Sequence, residues 1–207
     1  MEIKSKKSKY LVNVFKKLDA CNVLLASRSK RRHELLKQMG VKFKIIDQSI
    51  DESFPNSLKE NNITEYLAKK KSIPIVNKLK KNDLLITCDT IVWHKNNALG
   101  KPNSRKEAFD MIKSLENTSH VVISSICLST IKSQVLVSDR TTVYFDNLCK
   151  DDLLYYTENS DVLDRAGSYG IQDYIGHIGI KKIEGSYSNV LGFPTNLFVK
   201  TINSMNL

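Results

Sequence analysis

No apolar stretch in the sequence is long enough to cross a bilayer. The longest uncharged, mostly apolar run is Val121 to Ile131, about half of the roughly 20 residues that a spanning helix needs. Residues 1–30 carry basic groups but no continuous apolar core, so no secretory leader is expected. Cysteine is sparse and scattered: Cys21, Cys88, Cys127 and Cys149 form no C-x-x-C pair. The expectation is a reduced, cytoplasmic chain without structural disulfides. The sequence also lacks G-x-x-x-x-G-K-[ST] and G-x-G-x-x-G, which removes the nucleotide-binding folds built on those loops. There is no G-x-S-x-G elbow. His33, His94, His120 and His177 show no metal-ligand spacing, so structural or surface roles are expected for them. Aromatics are not interleaved with basic residues, which argues against a single-strand stacking platform.

What is present fits a globular protein. The 207 residues are 41% hydrophobic and 26% charged, which excludes disordered and fibrous classes and suits one large domain or two intimately packed lobes. The net charge of +10 is unevenly placed. Residues 1–32 hold ten Lys and Arg against Glu2 and Asp19, while the other 175 residues hold 22 basic and 20 acidic groups. Basicity is therefore an N-terminal property. A basic extension over 1–21 is expected to be a solvated tail, with weak nucleic-acid attachment as the minority reading. Residues 22–207 are expected to form the single domain.

Helices and strands alternate along that domain. Asn22 to Ser27 reads as a buried strand, Ser29 to Met39 as a helix stopped by Gly40, and Lys42 to Ile46 as a strand with one wet face. A polar loop over Gln48 to Asn62 leads to a Lys-rich helix over Thr64 to Lys81, kinked or broken near Pro74. Leu84 to Val92 is the strongest core strand. Ser104 with Glu107 announces a capped helix to Leu115. Val121 to Ile131 and Gln134 to Phe145 form a hairpin. A helix over Lys150 to Glu158, a glycine-rich tract over Gly167 to Gly192 and a C-terminal helix complete the chain. The pattern predicts an α/β fold with a mixed sheet.

Four segments carry candidate chemistry. Ser27-Arg28-Ser29-Lys30-Arg31-Arg32 lies between a strand end and a helix start, where free N–H groups, the helix dipole and guanidinium groups favour an anion. The same residues also suit a solvated basic helix start. Asp89 sits inside an apolar strand, where a carboxylate costs several kcal/mol unless paired, hydrogen-bonded or on a metal. At a strand end it would face a cleft; the plain alternative is an Asp capping a turn. Lys101-Pro102 and Asp51-Glu52 are weak alone, but with Asp89 and the arginines they supply the hard oxygens and cations of metal-assisted phosphoryl transfer. In Asp164 to Gln172, Gly167 and Gly170 allow close backbone approach, and the Gln172 amide can read a base edge.

Taken in order, these segments resemble the Maf family of nucleoside triphosphate pyrophosphatases, from about Val23 to Phe198. The landmarks are L-L-A-S-R-S-K-R-R-H-E-L-L (24–36), the acidic pair at 51–52, T-C-D-T-I-V (87–92), G-K-P (100–102), the Asp164–Gln172 stretch and E-G-S-Y-S-N-V-L-G-F-P (184–194). Two positions depart from the family pattern: Lys30 replaces a usual Pro, and Cys88 replaces Ala or Gly.

The resemblance implies an elongated α/β fold with a central nucleotide cleft, and commonly a homodimer. It implies hydrolysis of a nucleoside triphosphate to monophosphate and pyrophosphate with a divalent cation, Mg²⁺ or Mn²⁺, in a housecleaning or division-arrest role. Asp89 matches the proton acceptor and Glu52 a polar cleft residue, and electrostatics makes these two carboxylates the expected metal ligands. Ser27, Arg31, Arg32, Lys71 and Lys101 match polar cleft residues, Lys71 being taken from the run Lys69-Lys70-Lys71. Arg31, Thr90 and Gln172 resemble the subgroup acting on dTTP and UTP: Gln172 would meet the pyrimidine edge, Thr90 would add a hydroxyl, and Arg31 would repel the positive ring of 7-methyl-GTP. Two alternatives stand beside this reading, a pyrophosphatase for modified nucleotides such as 7-methyl-GTP and a non-catalytic nucleotide-sensing division regulator.

Overall fold

A computed structural model describes residues 14–207. The expectation of a basic tail with weak nucleic-acid attachment lies, for residues 1–13, outside the described residues. Residues 14–19 are helical (α1), and this part of the segment assigned to the extension is packed. Val14 and Leu18 are buried in the main core, and the Lys17 ammonium donates to the carbonyls of Ile202, Asn203 and Met205 at 3.3, 2.8 and 2.6 Å. It therefore caps the C-terminal helix, whose last carbonyls have no helical partner.

A seven-stranded mixed sheet organises the domain. Its strands are β1 (Asn22–Leu25), β2 (Lys44–Ile45), β3 (Asp83–His94), β4 (Asn97–Leu99), β5 (Ser119–Ser129), β6 (Gln134–Phe145) and β7 (Ile180–Glu184). The order is β2-β1-β3-β5-β6-β7, with β4 on β3. The β2-β1-β3 pairs are parallel and the rest antiparallel. The wet strand expected over Lys42 to Ile46 shrinks to the two exposed residues of β2, and β7 appears within the glycine-rich tract.

Helices cover both faces. On one, α3 (Asn61–Val76) lays Ile63 and Leu67 on Ile91 and Ile123. On the other, α2 (Lys30–Gln38) and α8 (Thr195–Ser204) bury Leu36, Phe198 and Ile202 against Ile86, Cys88 and Ile126. Further along that face, α4 (Arg105–Leu115) and α5 (Lys150–Asn159) close a second cluster around Val92, Val122, Phe145 and Tyr156. Two short helices, α6 (Tyr174–Gly179) and α7 (Tyr187–Val190), fill the ends. Pro74 lies inside α3 rather than ending it. A proline two residues before the last helical residue costs only one late bond. The Ser104 hydroxyl accepts from Glu107 N at 3.1 Å, as a capping box requires, while the Glu107 carboxylate reaches back to Asn103 N rather than Ser104 N.

One irregularity positions the site. β1 pairs with β3 only through Ile86, and β4 pairs with it only from Val92 onward. Between those points Thr87–Ile91 has a strand neighbour on one side alone, β5. The middle of the longest apolar strand is an open edge.

Candidate active site

Asp89 lies at the centre of that edge. The sequence reading placed it inside the strand and expected a cleft if it lay at the strand end; it is in mid-strand, and the cleft comes to it because β1 and β4 stop short. The alternation of a strand places Thr87, Asp89 and Ile91 toward α3, and Cys88, Thr90 and Val92 toward α2 and α7. A cavity of about 690 Å³ spans this edge. Six cations line it (Arg28, Arg31, Arg32, Lys71, Lys101, Arg165) against three carboxylates, Glu52, Asp89 and Asp164.

On the α3 side, Asp89 is 6% exposed. Its Oδ1 accepts from Lys71 Nζ at 2.6 Å, and the same ammonium meets Glu52 Oε1 at 2.9 Å. This settles which of the three adjacent lysines faces the cleft: Lys70 turns away to Asp51 and Ser53. Burial pushes the Asp89 carboxyl up, against the pull of Lys71 and Arg32. Burial works on Glu52 the same way, but Lys71 outweighs it and holds Glu52 below its ordinary value. The two carboxylates thus differ in proton affinity although they share one lysine. Gln48, which sequence reasoning passed over in a polar loop, donates its amide to the Lys71 carbonyl at 2.5 Å. Its Oε1 is buried without a partner among the described residues.

The Thr90 side is built differently. Arg32 donates through Nε to Gly192 O (2.9 Å), through Nη1 to Cys88 O (3.0 Å) and Ser27 Oγ (3.3 Å), and through Nη2 to Thr90 Oγ1 (3.0 Å). The Thr90 hydroxyl also meets Ser124 Oγ at 2.8 Å and Gly192 O at 3.3 Å. These contacts hold Thr90 in the framework of the open edge, and its side chain also lines the cavity where a base contact was expected of it. Arg32 clamps the open edge to the turn after α7, with most of its donors used.

The basic segment at the start of α2 lies on the cavity wall. Ser27, Arg28 and Ser29 line the cavity at the start of α2, and the Ser29 side chain makes no capping bond there. Arg31 donates to Asp164 O at 3.1 Å, and burial together with the nearby Arg165 lowers its proton affinity. Lys101 is tied to Asp164 at 2.6 Å, both about half exposed. At the far end, Ala166, Tyr169 and Gln172 line the wall. Gln172 Oε1 is buried with no partner among the described residues, an acceptor aimed at nothing the protein supplies. The histidines do not converge on the cavity. His120 meets Tyr169 Oη at 2.6 Å and is pushed down to about 3 by burial and His94, which keeps it neutral.

No group of three or more His, Cys, Asp or Glu among the described residues could hold a metal ion. Two carboxylates, Asp89 and Glu52, converge on the Lys71 ammonium. They are too few to cage a cation by protein alone, and a hard divalent ion held by them would take its other ligands from substrate oxygens. No helix among the described residues is long and apolar enough to cross a membrane, and all four cysteines are free thiols.

Fold and site together define a mixed α/β protein with a cation-rich cleft at the open edge of its central strand. The solved structure of the Staphylococcus aureus Ham1 protein shares this fold, with a TM-score of 0.50 at 15% identity, covering 87% of this chain and 97% of that one. A sequence model of the family described as Maf-like protein matches residues 22–205, and the chain belongs to the Maf family. Relatives include the dTTP/UTP pyrophosphatase of Flavobacterium johnsoniae, 45% identical over 179 residues (86% of this chain, 92% of the relative). The dTTP/UTP pyrophosphatase of Bacteroides fragilis is 39% identical over 189 residues (91% and 98%).

Proposed function

We propose that the protein hydrolyses nucleoside triphosphates, with UTP and dTTP favoured, to the monophosphate and pyrophosphate. The observation that carries the reading is Asp89: a buried carboxylate at an open strand edge, bonded to one lysine, inside a cavity with six cations. The surplus of positive charge matches the roughly four negative charges of a triphosphate, and the names of the relatives supply the substrate class.

In this reading the chain's own residues divide the work. Arg31, Lys101, Ser27 and the first turn of α2 hold the phosphates. Asp89, its basicity raised by burial, accepts a proton from the attacking water. The water oxygen bonds to the α-phosphorus while the bond to the bridging oxygen breaks, and pyrophosphate leaves with that electron pair. Lys71 holds Asp89 and Glu52 in place and offsets their charge. Mg²⁺ or Mn²⁺ bound by Asp89 and Glu52 with phosphate oxygens would neutralise charge on the leaving group. Gln172 meets the base edge with its unpartnered oxygen and its amide, which favours the acceptor–donor–acceptor edge of uracil and thymine.

The reading carries with it a cytoplasmic homodimer, tested by light scattering of the purified protein. The domain begins no later than Val14, because Val14 and Leu18 belong to its core. The test of function is a nucleotide panel with Mg²⁺, scoring pyrophosphate against inorganic phosphate. UTP and dTTP should be cleaved fastest with pyrophosphate as product. Faster cleavage of 7-methyl-GTP, or release of inorganic phosphate, would overturn the assignment.

A further inference from the structure

Gln172 is useful as a reader only if its amide is held still, and it lies two residues after Gly170 on an irregular segment. The segment between Arg165 and Asp173 is tied at its ends. The Arg165 guanidinium pairs with the Asp173 carboxylate, both largely buried, with 12% and 17% of their side chains exposed. Arg165 Nε donates to Asp161 O at 2.8 Å. The Tyr156 hydroxyl, brought in by α5, donates to Asp173 Oδ2 at 2.7 Å and accepts from Gly170 N at 3.2 Å. One phenol thus joins the carboxylate at one end of the segment to the backbone two residues before Gln172. Asp173 occupies the N-cap position of α6, where an Asp usually accepts from the first turn, yet it makes no capping bond. Its carboxylate is spent on Arg165 and Tyr156 instead. A Cβ at Gly170 would overlap Arg165 Nη1 and Asp173 Oδ2, so the chain keeps a glycine where the pair crosses it.

We infer that Asp173, Arg165 and Tyr156 form a latch whose function is to aim Gln172 into the cavity, which makes Asp173 and Tyr156 specificity-determining positioning residues. The inference rests on the proposed function only in that Gln172 contacts the base. Neither Asp173 nor Tyr156 lines the cavity, so their effect on selectivity passes through the segment. A latch of this kind acts on the difference between bases, not on the chemistry. An amide out of register leaves buried polar groups unpaired against the right base as well as the wrong one, and discrimination falls.

The experiment measures kcat and KM for UTP and CTP with the full-length wild type, Asp173→Asn and Tyr156→Phe, together with melting temperatures. The ratio of kcat/KM between the two bases is the reading, because phosphate binding is common to both and cancels. This matters because Asp173→Asn leaves extra positive charge beside Arg31. The expected result is a UTP-to-CTP ratio lowered about tenfold in Asp173→Asn and a few-fold in Tyr156→Phe, carried by KM, with kcat for UTP within about threefold. Wild-type ratios in either variant, or a loss of kcat equal for both bases, overturn the latch. If Asp173→Asn does not fold, Tyr156→Phe, which keeps the ion pair, decides alone. A wild type that cleaves no triphosphate contradicts the proposed function instead. The latch is then read from affinities of the same proteins for UMP and CMP, where an unchanged ratio overturns it.

Discussion

Asp89 and Thr90 are adjacent in β3 and point to opposite faces of the sheet, and their surroundings are opposites too. Asp89 is held by a single ammonium, which it shares with Glu52, in a setting that raises its proton affinity. Thr90 accepts from Arg32 and lies within hydrogen-bond reach of Ser124 and Gly192. One face of the strand keeps reactive capacity in reserve, and the other uses its capacity to hold the open edge in shape. Adjacent residues in one motif therefore need not share a role. An edge strand lacking neighbours leaves backbone carbonyls to satisfy, and on the Thr90 face Arg32 satisfies that of Cys88 while tying the edge to Gly192 in the turn after α7.

The sharpest way to break this contrast is Asp89→Asn. It should retain the fold, because Lys71 keeps Glu52 as a partner, and should lose at least about a hundredfold in turnover, the scale of a missing general base. Pyrophosphate release under saturating UTP checks this. Next comes Lys71→Met. Activity requires ionised Asp89, so the rate falls as pH drops through its raised pKa; the wild-type acid limb should therefore lie above the ordinary carboxylate value of about 4. Removing the ammonium that opposes burial should move the limb up by a further roughly 1–3 pH units. A pH–rate profile that stays in place would show that the limb belongs to another group. On the other face, Thr90→Val should cost about 1–2 kcal/mol of stability, seen as a melting temperature lower by roughly 2–8 °C, with the UTP-to-CTP preference unchanged. A collapse of that preference would make Thr90 a base contact. Smallest is Lys101→Ala. Its exposed ion pair with Asp164 is worth no more than about 1 kcal/mol, so the melting temperature should fall by no more than about 4 °C, while KM for UTP rises with the loss of a phosphate contact.

Much of this site could be read from the residues. A carboxylate in an apolar strand, an Arg-rich helix start and the Gly-containing stretch to Gln172 each announce a physical cost that something must meet. Choosing Lys71 among three lysines needed the helix's rotational phase, which a run of identical residues conceals. Gln48 and the Arg165–Asp173–Tyr156 latch were invisible for another reason: their partners lie in other elements, and polar residues in polar loops carry no local signal. Strand β7 was hidden by flanking glycines, and its strand partner, β6, lies far away in sequence. The packing of α1 failed to show because the six lysines of residues 1–21 set the character of that stretch, while burial depends on Val14 and Leu18.

The most direct measurement puts Asp89→Asn and Thr90→Val side by side, recording turnover on UTP and melting temperature for each. The account predicts a crossover: Asp89→Asn loses at least about a hundredfold in kcat with little change in melting temperature, while Thr90→Val melts earlier yet keeps kcat within about tenfold of wild type. Near-normal turnover of a folded Asp89→Asn protein, or a loss of turnover in Thr90→Val as large as that in Asp89→Asn, would contradict the division of labour between the two faces of β3.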